Sequence, residues 1–109
     1  MSEPLVVTIP HRLGKDEALN RIKTGLTRAE GEFAWALRFD EQRWEGDRLD
    51  FRISAMAQHA QGSITVAEEN VRVEVMLPWL LARFAKAAQR VIGQKGQLML
   101  EKPSGVKRP

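Results

Sequence analysis

Between residues 35 and 77 the apolar side chains recur at every second position, and on either side of that stretch they recur at every third or fourth. A period of two belongs to a strand with one apolar face, and a period near 3.6 to a helix with one apolar stripe. Trp35, Leu37 and Phe39 alternate with Ala36, Arg38 and Asp40. Leu49, Phe51, Ile53 and Ala55 alternate with Arg48, Asp50, Arg52 and Ser54; Ile64 and Val66 with Ser63, Thr65 and Ala67; Val71, Val73, Val75 and Leu77 with Arg72, Glu74 and Met76. Four such strands describe an antiparallel sheet covered on one side only. Glu45-Gly46-Asp47 and Glu68-Glu69-Asn70 are turn segments that join neighbouring strands as hairpins. Trp44 is out of phase with Phe39, and a bulge between them restores its direction.

The flanks supply the cover. Leu5-Val6-Val7-Thr8-Ile9 is rich in β-branched residues and stops at Pro10, which predicts a first strand. After a turn over His11 to Gly14, Asp16 and Glu17 sit where the first turn of a helix favours acids. Ala18, Leu19, Ile22, Leu26 and Ala29 then share one face, Gly25 allows close approach to the sheet, and Gly31 ends the helix. Pro78 stands at a first helical position. Leu77, Leu80, Leu81, Phe84, Ala88, Val91 and Ile92 form an apolar stripe opposite Arg83, Lys86, Gln89 and Arg90. Gly93 and Gly96 leave two readings of Leu98-Met99-Leu100, a continued helix or a separate segment. The order is β-α-β-β-β-β-α, and the simplest burial is an α+β two-layer sandwich with both helices on the apolar face of the sheet. Residues 1–100 make one domain, and residues 101–109 a basic, disordered tail.

Composition narrows the chemistry. The 109 residues contain no cysteine and no tyrosine and only two histidines. This excludes a disulfide scaffold, a cysteine nucleophile and a thiolate metal site. The net charge of +3 comes mostly from Lys102, Lys107 and Arg108 in the tail. Elsewhere charges alternate in sign, as in Asp40-Glu41-Gln42-Arg43, which describes a solvated surface and not a nucleic-acid face. The start of the chain has no signal-peptide pattern, and no apolar run approaches a membrane span. The expected location is the cytoplasm.

No catalytic constellation emerges. His11 and His59 lie in no metal-binding spacing and read as loop or strand-end residues. Ser63 follows a glycine without a nucleophile elbow. Asp50 and Arg52 share a strand face as a surface ion pair. No nucleotide-binding motif occurs, so neither cofactor nor metal is expected. Among the tryptophans, Trp35 is in phase with the core, whereas Trp44 and Trp79 either cover its edge or meet a partner. Arg83, Lys86 and Arg90 form a basic stripe with Trp79 one turn away, suited to solvent or to an anionic surface.

His11-Arg12-Leu13-Gly14, followed by Ala18 and Arg21, resembles the N-terminal signature of the polyhydroxyalkanoic acid system family, small bacterial proteins of polyester storage-granule gene regions. Trp44-Glu45-Gly46-Asp47-Arg48-Leu49-Asp50-Phe51, Gly62-Ser63-Ile64-Thr65-Val66 and Val71 to Pro78 are similar to its hairpin, closing strands and helix start. Met56-Ala57-Gln58 departs from the pattern by lacking an expected glycine. The resemblance implies a bacterial cytoplasmic protein linked to polyhydroxyalkanoate metabolism or granules, and it brings no catalytic residues. With no catalytic constellation in the sequence, the expectation is a non-enzymatic accessory protein acting on the granule surface or on granule proteins. Trp44, Trp79, Arg83, Lys86 and Arg90 are the candidate contacts. The alternative is a carrier of a small acyl ligand, held in a cavity lined by Phe51, Ile53, Leu77, Leu81, Phe84 and Ala88. For so short a chain a solid core is the simpler expectation. An exposed sheet edge leaves a homodimer open.

Overall fold

A computed structural model describes residues 4–55 and 57–101, with the backbone alone at residues 79–81 and 101. The elements are β1 (Pro4–Pro10), α1 (Lys15–Glu32), β2 (Arg38–Glu45), β3 (Arg48–Ala55), β4 (Gln58–Val66), β5 (Asn70–Met76), a 3-10 helix (Trp79–Phe84) and α2 (Ala85–Glu101). The five strands form one antiparallel sheet in the order β1-β5-β4-β3-β2. Val7, Ile9, Leu49, Phe51, Ala60, Ile64, Val66, Val71, Val73 and Val75 are buried on the face that meets the helices, together with Ala18, Ile22 and Leu100. The chain is thus the expected α+β fold. The period-two residues bury because alternation puts all of them on the same side.

The expected bulge is present. The β2–β3 register shifts between Phe39 and Glu41, so Phe39, opposite Ile53, and Trp44, opposite Leu49, share the inner face. The ring of Phe51 packs edge-on to Phe39 at 5.9 Å. Gly62, its cross-strand neighbour, leaves room for that ring, because a Cβ there would lie 2.8 Å from Phe51 Cζ. Both edge strands resist pairing with further chains. β1 has a proline at each end, and β2 is bulged and carries Arg38, Asp40, Glu41, Arg43 and Glu45.

Several local expectations need correction. Trp35 is not core: it lies in the turn between α1 and β2 and is 84% exposed. Strand β2 starts only at Arg38, since the alternating run begins inside a turn whose backbone bonds close on Phe33. Gly25 faces α2 and not the sheet, with Met99 against it. Gly31 lies within α1, and Phe33 caps the helix instead. Pro78 is extended and precedes the 3-10 helix. Asp50 pairs with Arg48 at 3.2 Å, whereas Arg52 approaches Glu41 at 3.9 Å. Leu98-Met99-Leu100 continues α2, and Leu100 is one of its anchors, 2% exposed. The tail beyond Glu101 lies outside the described residues.

The missing glycine of the β3–β4 hairpin has a structural counterpart. Ala57 holds φ at +61°, in the left-handed region where a Cβ is disfavoured by roughly 1–2 kcal/mol. Glycine relieves that conflict and loses part of the gain to its own unfolded-state entropy. Ala57→Gly is expected to raise stability by about 0.5–1 kcal/mol, read as a higher urea midpoint with an unchanged m-value.

Candidate functional site

The two ends of the molecule differ in chemistry. At one end the β1–α1 loop, the β2–β3 turn and the β4–β5 turn are fastened together by polar contacts. The His11 backbone N–H donates to Glu69 O at 2.9 Å. The His11 ring contacts Ala67 O through Nε2 at 3.0 Å and accepts the Leu13 N–H at Nδ1, 3.1 Å away. Because Nδ1 accepts, the ring proton sits on Nε2 and points at the carbonyl. The Lys15 N–H donates to Glu68 Oε1 at 3.3 Å, and Lys15 Nζ pairs with Asp47 at 3.1 Å. The hydrogen bond from Lys15 to Asp47, reinforced by the attraction between the two charges, raises the lysine above its ordinary pKa. Gly14, at φ +79°, turns the chain into α1 within this cluster.

The same signature continues into the helices. Ala18 is fully buried. Arg21 bonds Glu17 at 2.8 Å and donates from Nη1 to Leu100 O at 3.0 Å, satisfying a carbonyl at the end of α2. His11, Leu13, Gly14, Ala18 and Arg21 therefore form a structural fastening that seats both helices at one end of the sheet. Removing the His11 ring leaves the Ala67 carbonyl and the Leu13 N–H without these partners. His11→Ala is expected to cost about 1–2 kcal/mol in chemical denaturation.

At the other end the layers separate. Along α1 burial falls from Ala18 and Ile22 to the half-buried Leu26 and Phe33. Along α2 it falls in the opposite chain direction, from Leu100 through Met99 and Ile92 to the exposed Val91 and Phe84. Gly96 lets α2 approach β1 closely, because a Cβ there would collide with Ile9. Among the described residues, the half of the sheet formed by β2 and β3 is left partly uncovered. The result is an apolar cleft of about 460 Å³ between the sheet and α2. Leu5, Phe39, Ile53, Leu77, Phe84 and Ala88 are among the side chains that line it.

Five of the six residues expected to line a cavity do so: Phe51, Ile53, Leu77, Phe84 and Ala88. The side chain of the sixth, Leu81, lies outside the described residues, as does that of Trp79. The expectation of a solid core gives way, because the helices are seated at one end only. The other candidate contacts are not gathered there. Trp44 is half-buried on β2 with Lys23 Nζ 5.0 Å from its ring centroid. Arg83, Lys86 and Arg90 are exposed, and none of them lines the cleft. On α2, Lys86 and Arg90 fall away from the side that carries Ala88 and Ile92.

The outer face of the sheet holds a group absent from the sequence-based candidates. The Ser54 hydroxyl donates to Asp40, and His59 Nδ1 lies 3.1 Å from Ser54 Oγ. The signal was the hairpin register, which sets Ser54 opposite His59, together with the bulge that turns Asp40 towards them. The Ser54 hydrogen bond, with help from Arg38, holds the Asp40 carboxyl below its ordinary pKa despite partial desolvation. Here serine stands between acid and imidazole, the reverse of the order that activates a serine nucleophile. Near it a polar hollow of about 370 Å³ carries Arg43, Arg48 and Arg52 beside Glu41, Asp50 and Glu74. Among the described residues no group of three metal-ligating side chains occurs, and no helix is long and apolar enough to cross a membrane.

Fold and cleft define a class: a small α+β protein with a one-sided sheet whose apolar face is incompletely covered. Residues 5–99 match the family described as "putative polyhydroxyalkanoic acid system protein", and the chain belongs to that family. No curated protein and no solved structure matches it.

Proposed function

We propose that this protein is a non-enzymatic binding protein of the polyhydroxyalkanoate system, and that its cleft takes an acyl chain. The supporting observation is the cleft itself. Its volume of about 460 Å³ falls within the roughly 300–1,000 Å³ of small-molecule sites. Its walls are almost entirely hydrocarbon, which suits an alkyl chain better than a polar metabolite. Each buried methylene contributes about 0.8 kcal/mol, so a chain of modest length binds without polar contacts. Ala88 sits on the α2 wall, where a larger side chain takes up ligand space. Ala88→Phe is expected to weaken binding of the apolar dye Nile red by about tenfold while the fold persists, as read by fluorescence titration and circular dichroism. Undiminished dye binding by the folded variant would remove the cleft as the site.

A second reading, contact with the granule surface, is favoured by a different observation. Trp35, Phe84, Val91 and Leu98 are exposed. Phe84 and Val91 line the cleft, and Trp35 stands in the same turn as the lining residues Phe33 and Leu37. Exposed apolar groups around an apolar opening are suited to a polyester surface. The protein is then expected to pellet with polyhydroxybutyrate particles and not with bare latex, and Trp35→Ser to reduce that pelleting at least twofold. In this reading the exposed Arg83, Lys86 and Arg90 do not line the opening, and the half-buried Trp44, beside the β2–β3 turn at the fastened end, lies away from it.

A further inference from the structure

One of the residues lining the cleft carries a charge, Lys95: its methylenes belong to the hydrocarbon wall, and its ammonium stands outside that wall, at the edge. Its Nζ lies 3.0 Å from Glu32 Oε2 and 5.5 Å from the centre of the Phe33 ring. Glu32 is the last residue of α1, whose final turn contains no basic residue. Glu30 and Glu32 thus stand at the negative end of the helix dipole, where acids are unfavourable. Lys95, reaching across from α2, compensates both the carboxylate and the helix end. The pair is partly open to solvent, with side-chain exposures of 37% and 51%. A carboxylate therefore already rests on an ammonium at the edge of an apolar cleft.

We infer that the ligand of this cleft is a carboxylate-headed alkyl chain, with the chain in the cleft and the head on Lys95 in place of Glu32. The inference rests on the cleft reading above. The exchange replaces one carboxylate by another on the same ammonium. Because an exposed ion pair is worth little, displacing Glu32 costs little. Burial of the chain then drives binding, and the head sets orientation and preference. An uncharged chain gains the burial and leaves Lys95 with Glu32.

The test compares dodecanoate with 1-dodecanol on the full chain, each below its aggregation concentration, by calorimetry. Dodecanoate is expected to bind about twofold more tightly than dodecanol, the part of one half-exposed ion pair that is left once Glu32 has been displaced. Lys95→Met should erase that preference and leave dodecanol binding unchanged. Glu32→Gln should tighten dodecanoate about threefold by removing the competing carboxylate. Shortening the acid by two methylenes should weaken it about fourfold for each one. Should Lys95→Met fail to fold, the native protein still decides the matter, because a preference due to the head must shrink as salt is raised. Equal binding of the two probes, or a preference that survives Lys95→Met, overturns the assignment of the head and leaves the cleft standing. Binding of neither probe overturns the cleft reading and this inference together.

Discussion

Both helices are fastened to the sheet at one end, and most of the architecture follows from that. His11, Lys15, Asp47 and Glu68 tie three loops together there. Ala18, Ile22 and Leu100 sit buried beneath this end, and Arg21 closes the end of α2. These contacts are local and directional, so they fix position without depending on how well the distant parts of the helices pack. Farther along, the contacts between the layers are mostly apolar, with Lys23 over the Trp44 ring beside them. Among the described residues the apolar face of the sheet stays partly open, and that opening is the surface on which the proposed binding rests.

The two faces of the sheet divide the work. The outer face is laced with short-range pairs, Arg48 with Asp50, Arg72 with Glu74 and Arg38 with Asp40. Each pair is exposed and worth little to stability. Together they keep that face hydrated and satisfied, and they leave no unpaired cluster of one sign among the arginines and acids around the polar hollow. The inner face contains the hydrocarbon, and the uncovered part of it is where affinity is available.

The motif that carries the family resemblance is structural. His11 is a two-sided hydrogen-bonding post, Gly14 a left-handed entry to α1, and Ala18 a small residue under a crowded helix. A histidine with satisfied partners on both nitrogens is held in one tautomer and has no lone pair to offer a substrate. The glycine lacking from the β3–β4 hairpin is equally physical, because Ala57 occupies the left-handed conformation that glycine tolerates best.

The sequence by itself determined the order of the elements, the one-sidedness of the sheet, the bulge between Phe39 and Trp44, and the apolar faces from which Phe51, Ile53, Leu77, Phe84 and Ala88 reach the cleft. All of these are consequences of side-chain period, which is a local property of the chain. It misplaced Trp35 because alternation cannot tell a strand from a turn that happens to alternate. It missed the Asp40–Ser54–His59 group, since that depends on strand register across two hairpins. Tertiary structure alone decided whether the stripe of α2 would be fully buried. That depends on how α2 lies on the sheet, set by Gly96 against Ile9 of β1 and by fastenings between residues far apart in the chain. The same long-range geometry brought Lys95 to Glu32, 63 positions away, and so placed a cation at an opening that no local pattern records.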